Sequence, residues 1–124
     1  MTKRHYKVSL YDALEGNRLA LGTDPQILNR NDLLSALGRP YHGYHLEIYE
    51  KATALIHAII SNHPFVDGNK RTALYLTELL LQRSGYELDV VDLELFSKFV
   101  LVAKGEMDYD GLREWLKTVI NPLA

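Results

Sequence analysis

The sequence predicts an all-α protein, a compact helical bundle with a buried helix near its centre. Apolar residues recur at helical spacing along most of the chain from residue 45 onward. The eight glycines and four prolines fall between the periodic segments as punctuation. The one stretch that suggests a strand, residues 86–91, is short. At 124 residues the chain is long enough for one compact core, and it is expected to form a single domain over 1–124.

Taken in order, a short helix is expected over 6–14, stopping near Gly16, followed by a turn at 22–25. Residues 29–37 suit a second short helix, with Asn31 as its N-cap and Gly38 as its stop. Residues 39–44, RPYHGY, are expected to be a loop. From His45, the residues Ile48, Ala52, Leu55, Ile56, Ile59 and Ile60 define one apolar face over about four helical turns. That helix must stop near Asn62, because Pro64 disfavours the right-handed helical region for His63. A polar loop follows, then a helix over 70–84 ended by Gly85. Its body, ALYLTELLL, is apolar on nearly every side, so this helix is expected to be central and buried. Two amphipathic helices, 92–104 and 108–120, complete the chain with Gly105 between them. In the last of these, Trp115, Leu112, Leu116 and Val119 are expected to pack in the core.

Composition excludes several classes. A net charge of −2 gives no reason to expect nucleic acid or an anionic membrane as a partner. The absence of cysteine removes disulfide, thiolate and Cys-ligated metal chemistry. No apolar run approaches the roughly 20 residues of a membrane span. The opening MTKRHYKVSLYDALEG lacks the apolar block of a signal peptide, so a soluble, cytoplasmic protein is expected. Lys3, Arg4 and Lys7 suggest a solvated face.

The chemistry lies in HPFVDGNKRT, residues 63–72. Pro64 fixes the exit from the preceding helix and so holds the imidazole of His63 at the end of a rigid element. Phe65 is expected to anchor the loop in the core. Asp67 supplies a carboxylate. Gly68 allows a close backbone approach or a positive φ. Asn69 opens the next helix, whose first N–H groups lack intrahelical partners and form an anion site together with the helix dipole. Lys70 and Arg71 place two cations in that first turn, where they oppose the dipole. A multiply charged anion would account for them. Polyphosphates usually arrive with Mg²⁺ held by one or two carboxylates plus phosphate oxygens, which suits Asp67. An imidazole titrates near neutrality and suits deprotonation of an attacking hydroxyl, which suits His63. A base, a metal carboxylate, an anion hole and charge clamps are the parts that phosphoryl or nucleotidyl transfer needs. Taken singly, a His before Pro is commonly a cap and Asp-Gly-Asn commonly a turn. Taken together over ten residues, they make a nucleotide-phosphate site. No P-loop, kinase glycine loop or HExxH motif competes with it.

HPFVDGNKRTA resembles the signature of the Fic/Doc family, HPFx[D/E]GNxxR. LLSALGRP before it, and GYELDVVD and AKGEMDYDGLREWL after it, resemble the death-on-curing (Doc) toxin branch. The resemblance covers roughly residues 28–120, and the first 27 match poorly. It implies the Fic fold and a role for each matching residue. His63 would be the general base toward a target hydroxyl, Asp67 the Mg²⁺ ligand, Gly68 and Asn69 the anion-hole pair, Arg71 the nucleotide-phosphate contact and Phe65 the buried anchor.

Two departures bear on the reaction. Fic enzymes that transfer AMP commonly have Gly where this chain has Lys70, and a second Arg where it has Leu74. Both changes follow the Doc pattern, in which the γ-phosphate faces the base. Lys70 crowds space that Gly leaves open, and loss of the Arg removes a clamp on the far phosphate. Doc itself has Asn where this chain has Tyr75.

The resemblance therefore implies an ATP-dependent protein kinase that phosphorylates a threonine of elongation factor Tu and blocks translation. The alternatives are a Fic-type AMP transferase and a non-catalytic partner-binding module. It also implies an antitoxin that binds in trans, since no [ST]xxxE[GN] inhibitory helix is present.

Tyr41, His42, Tyr44 and His45 form either a polar loop with aromatic edges or, as the resemblance implies, a flap that docks the target beside the site. A His-x-x-His metal pair there would lack a third ligand nearby. His57, inside an amphipathic helix, is expected to be structural.

Overall fold

The computed structural model describes residues 4–123. Lys3 lies outside the described residues, while Arg4 and Lys7 are exposed. The architecture is helical, with six α-helices among the described residues and a small two-stranded sheet. None of these helices is long and apolar enough to cross a membrane.

The first helix, α1, spans Leu10–Leu21. Its start is a capping box: Ser9 Oγ accepts from the Asp12 N–H at 3.1 Å, and the Asp12 carboxylate accepts from the Ser9 N–H at 2.9 Å. Its end is Gly22 in the left-handed region at φ 72°. The helix therefore starts later than expected and runs straight through Gly16. A Cβ on Gly16 would lie 2.5 Å from Cδ1 of Tyr75, so this glycine permits close helix packing and does not terminate the helix.

Helix α2 spans Arg30–Gly38. Its N-cap is Asn29, not the expected Asn31, and the Asn29 side chain accepts from the Asp32 N–H at 3.0 Å. A 3-10 turn, Arg39–Tyr41, follows where a loop was expected; Pro40 suits its first turn.

Helix α3 spans Ile48–Asn62, three residues shorter at its start than the periodicity suggested, because the reciprocal bonds of Glu47 and Glu50 set its beginning. Helix α4 spans Asn69–Arg83. After it, β1 (Tyr86–Leu88) pairs antiparallel with β2 (Ile120–Pro122), Tyr86 opposite Pro122 and Leu88 opposite Ile120. Helix α5 spans Asp92–Ala103 and α6 spans Tyr109–Val119, the latter capped by Asp108.

The buried apolar residues form a continuous core cluster with Phe65, Phe99 and the leucines and isoleucines of α3 and α4 at its heart. Helix α3 packs against α2, α4, α5 and α6, and α4 packs against α1, α3 and α5. The helix after the motif loop is thus central, but it shares that place with α3. It also leaves Glu78, Gln82 and Arg83 exposed, so it is buried on one face and not all round. Leu112 and Leu116 of α6 are fully buried, with Trp115 and Val119 packed on the core beside them. His57 is half-buried, edge-on to the Tyr109 ring at 5.3 Å between centroids, as a structural residue would be. Burial lowers its pKa.

Candidate active site

The motif loop joins the C-terminus of α3 to the N-terminus of α4. His63 ends α3 at φ 50° and ψ 59°, and among the described residues it is the one non-glycine with positive φ. Pro64 disfavours the right-handed helical region for it, and the chain leaves the helix with His63 in the left-handed region. That sharp exit places the imidazole on the surface.

Three attachments hold the rest of the loop. Phe65 is 1% exposed and sits in the core cluster. An extended stretch at residues 26–29 runs beside the loop. There Pro64 O accepts from Leu28 N–H at 2.8 Å, and Val66 N–H donates to Gln26 O at 2.9 Å. Ile27 and Phe65 form an antiparallel bridge. The third attachment is the buried side chain of Asn69. Its Oδ1 accepts from Phe65 N–H at 3.0 Å, and its Nδ2 donates to Phe65 O at 2.9 Å. The Asn69 amide therefore ties the loop into a closed ring, and its Nδ2 also lies 3.4 Å from Nδ1 of His63. The Asn69 side chain is thus engaged with Phe65, which leaves its backbone N–H as the group it could present to the cavity.

Gly68 caps α4 at φ 75°, a conformation glycine adopts at no steric cost. Its N–H donates to Oδ1 of the exposed Asp67 at 2.7 Å. The first N–H groups of α4 have no intrahelical partners. Lys70 is half-buried, and Arg71 is exposed with Nη1 donating to Ala20 O at 2.8 Å.

These residues surround one cavity of about 240 Å³, lined by His63, Val66, Asp67, Gly68, Asn69, Lys70, Arg71 and Phe96. The structure thus brings together every motif residue singled out from the sequence, with Phe65 as the support beneath. It adds Phe96 of α5, which no local pattern marks as different from its helical neighbours. It also adds Asn17 and Ala20 of α1, which hold the loop from behind. Asn17 gave no signal in the sequence, because it falls after the Gly16 where the helix was expected to stop; only the run of α1 through Leu21 places this polar residue in a helix interior. Leu74 and Tyr75 are half-buried and pack on the core, and neither lines the cavity.

The four residues of the candidate flap do not line this cavity. Tyr41, His42, Tyr44 and His45 precede α3, whereas His63 follows it, and the helix's 15 residues put roughly 22 Å between its ends. Tyr41 faces inward: its hydroxyl donates to Tyr6 O at 2.9 Å and accepts from Val8 N–H at 2.7 Å, and burial pushes its pKa up to about 12. Tyr44 is 90% exposed, His42 is exposed, and burial lowers the pKa of the half-buried His45. Among the described residues, no group of three or more His, Cys, Asp or Glu side chains is placed to hold a metal, so the His42–His45 pair gains no third ligand. The segment that does flank the motif loop is residues 26–29.

The family model described as Fic/DOC family matches residues 16–81, more than half of the chain. It begins inside α1, earlier than the resemblance suggested. A curated relative, Toxin Doc of Mycolicibacterium smegmatis (strain ATCC 700084 / mc(2)155), is 33% identical over 82 residues. The aligned part is 62% of this chain and 63% of the relative, just under two thirds of its length. The chain belongs to the Fic/DOC family and resembles its death-on-curing branch.

Proposed function

We propose that this protein is a Doc-like toxin of a toxin–antitoxin pair, a protein kinase that moves the γ-phosphate of Mg-ATP to a threonine of elongation factor Tu and so blocks translation. The observation that carries this reading is the convergence of His63, Asp67 and the N-terminus of α4 with Lys70 and Arg71 on one cavity. Membership of the family and similarity to a curated toxin support it.

Each residue has a part. His63 would take the proton from the attacking hydroxyl as that oxygen bonds to the γ-phosphorus and the bond to the β-phosphate bridge breaks, releasing ADP. The N–H groups at the start of α4, with Lys70 and Arg71, would receive the phosphate oxygens. Among the described residues, Asp67 is the only carboxylate lining the cavity. That donor set fits Mg²⁺, which keeps several waters and takes further oxygens from phosphates, and which would neutralise charge on the transferring group. Phe96 offers an apolar wall. Inhibition would come from an antitoxin binding in trans.

Lys70 lines the cavity, which supports transfer of phosphate over transfer of AMP. ATP labelled at the α or the γ position, incubated with this protein, Mg²⁺ and elongation factor Tu, tests the reading. Label from the γ position is expected on a threonine of the factor. Label from the α position would instead establish an AMP transferase. A Lys70→Gly variant is expected to gain α-label transfer.

A further inference from the structure

Asn17 lies in the middle of α1, fully buried, fifty positions before the loop it touches. Its Nδ2 donates to the backbone carbonyl of Asp67 at 2.9 Å and to Oγ1 of Thr72 at 3.1 Å. Its Oδ1 is buried with no hydrogen-bond partner. A buried carbonyl without a donor is a destabilising feature. An aliphatic side chain of this size would avoid it, so the amide is present for its two donors.

The Asp67 carbonyl and the Gly68 N–H belong to one planar trans peptide group and point in opposite directions. Asn17 holds the carbonyl from the side of α1, which aims the Gly68 N–H the other way, at Oδ1 of Asp67 2.7 Å distant. The contact is close. A Cβ on Gly68 would lie 3.1 Å from Nδ2 of Asn17 and 3.2 Å from Cδ2 of Leu21. One turn further along α1, Ala20 O receives the guanidinium of Arg71 at 2.8 Å.

We propose that Asn17 is a positioning residue for the nucleotide site. Through the Asp67–Gly68 peptide it sets the aim of the Asp67 carboxylate and of the Gly68 N–H that caps α4, while touching no ligand itself. The proposal rests on the reading of the cavity as a Mg-ATP site. An Asn17→Leu variant removes both donors with a larger, similarly branched apolar side chain, and Asn17→Asp keeps the shape and removes them. Thr77→Val is the control. Thr77 is equally buried, its hydroxyl bonds Ala73 O at 2.7 Å within α4, and it is remote from the loop.

The whole 124-residue chain, ¹⁵N-labelled, is examined by NMR alone and titrated with Mg-ATP. The Gly68 amide resonance is expected to move in both Asn17 variants before any ligand is added. Their Mg-ATP affinity is expected to fall about tenfold or more, as for other residues that orient a metal ligand from behind. Thr77→Val should lower thermal stability and change neither readout. An Asn17 variant that folds and keeps both the Gly68 resonance and the affinity overturns the proposal. If neither variant folds, the wild-type Asn17 side-chain amide resonances decide. They are expected to shift on Mg-ATP addition, and their failure to respond while other cavity residues respond overturns it. Absence of any Mg-ATP binding by the wild type would overturn the functional reading instead, and the ligand-free Gly68 resonance would still test whether Asn17 sets the loop.

Discussion

Gly16 stands in the interior of α1, buried, with the ring of Tyr75 lying where its side chain would be. Replacing it with Ala sets two effects against each other. Ala is favoured over Gly in a helix interior by about 0.5–1 kcal/mol. The new methyl would meet Cδ1 of Tyr75 at 2.5 Å and Cγ at 3.0 Å, too close for real atoms, so α1 must lift from α4 or the half-buried ring must swing out. Overpacking of that kind costs about 1–3 kcal/mol. The clash wins, and Gly16→Ala is expected to destabilise the protein by about 1–2 kcal/mol, a fall in Tm of about 4–8 °C for a chain of this length. In a Tyr75→Ala background the clash is gone, and Gly16→Ala should then stabilise by up to about 1 kcal/mol. Urea denaturation of the four proteins, with unchanged m-values, measures the cycle, and the coupling should be about 2 kcal/mol. If Gly16→Ala stabilises the wild-type background, or costs the same in both, the account of α1 packing on α4 through this glycine is wrong.

The remaining predictions concern the site and its surroundings. His63→Ala is expected to reduce transfer at least a hundredfold and abolish growth inhibition while Mg-ATP still binds, checked by labelled transfer and calorimetry; intact inhibition would favour a non-catalytic binding role. Asp67→Ala is expected to abolish Mg²⁺-dependent turnover, and a variant with unchanged Mg²⁺ dependence would remove Asp67 from the metal. Glu78 has its carboxyl raised from 4.5 to about 7, first by burial and then by the hydrogen bond and charge of Asp92. The folded state therefore favours the protonated form. This contribution is complete below pH 4.5 and is lost as the pH rises through about 7, reduced in size by solvent screening at an exposed residue. Denaturation at a series of pH values should show that decline in the wild type and a flatter profile in Glu78→Gln.

The sequence by itself determined the helices from α3 onward and the residues of the site. Ile48, Ala52, Leu55, Ile56 and Ile59 mark a helical period that burial writes into the chain, although the structure buries α3 on most of its sides, Thr53 and Ala54 included. The site was legible for a local reason. His63, Asp67, Gly68, Asn69, Lys70 and Arg71 lie within a single helix–loop–helix turn, so backbone geometry alone brings them to one cavity. Contacts between distant segments decided the rest. Gly16 suggested a stop and is a packing glycine, because its partner Tyr75 lies on another helix. Residues 41–45 carried suggestive side chains but stand at the far end of α3, while residues 26–29, without any motif, run along the loop. Asn69 is expected at a phosphate from its place in the motif, while its side chain braces Phe65. Asn17 reaches the loop across fifty residues. A local pattern records what a segment needs from its own backbone and from burial. Which segment meets which is settled when the core closes, and here that closure decided what holds the motif loop in place.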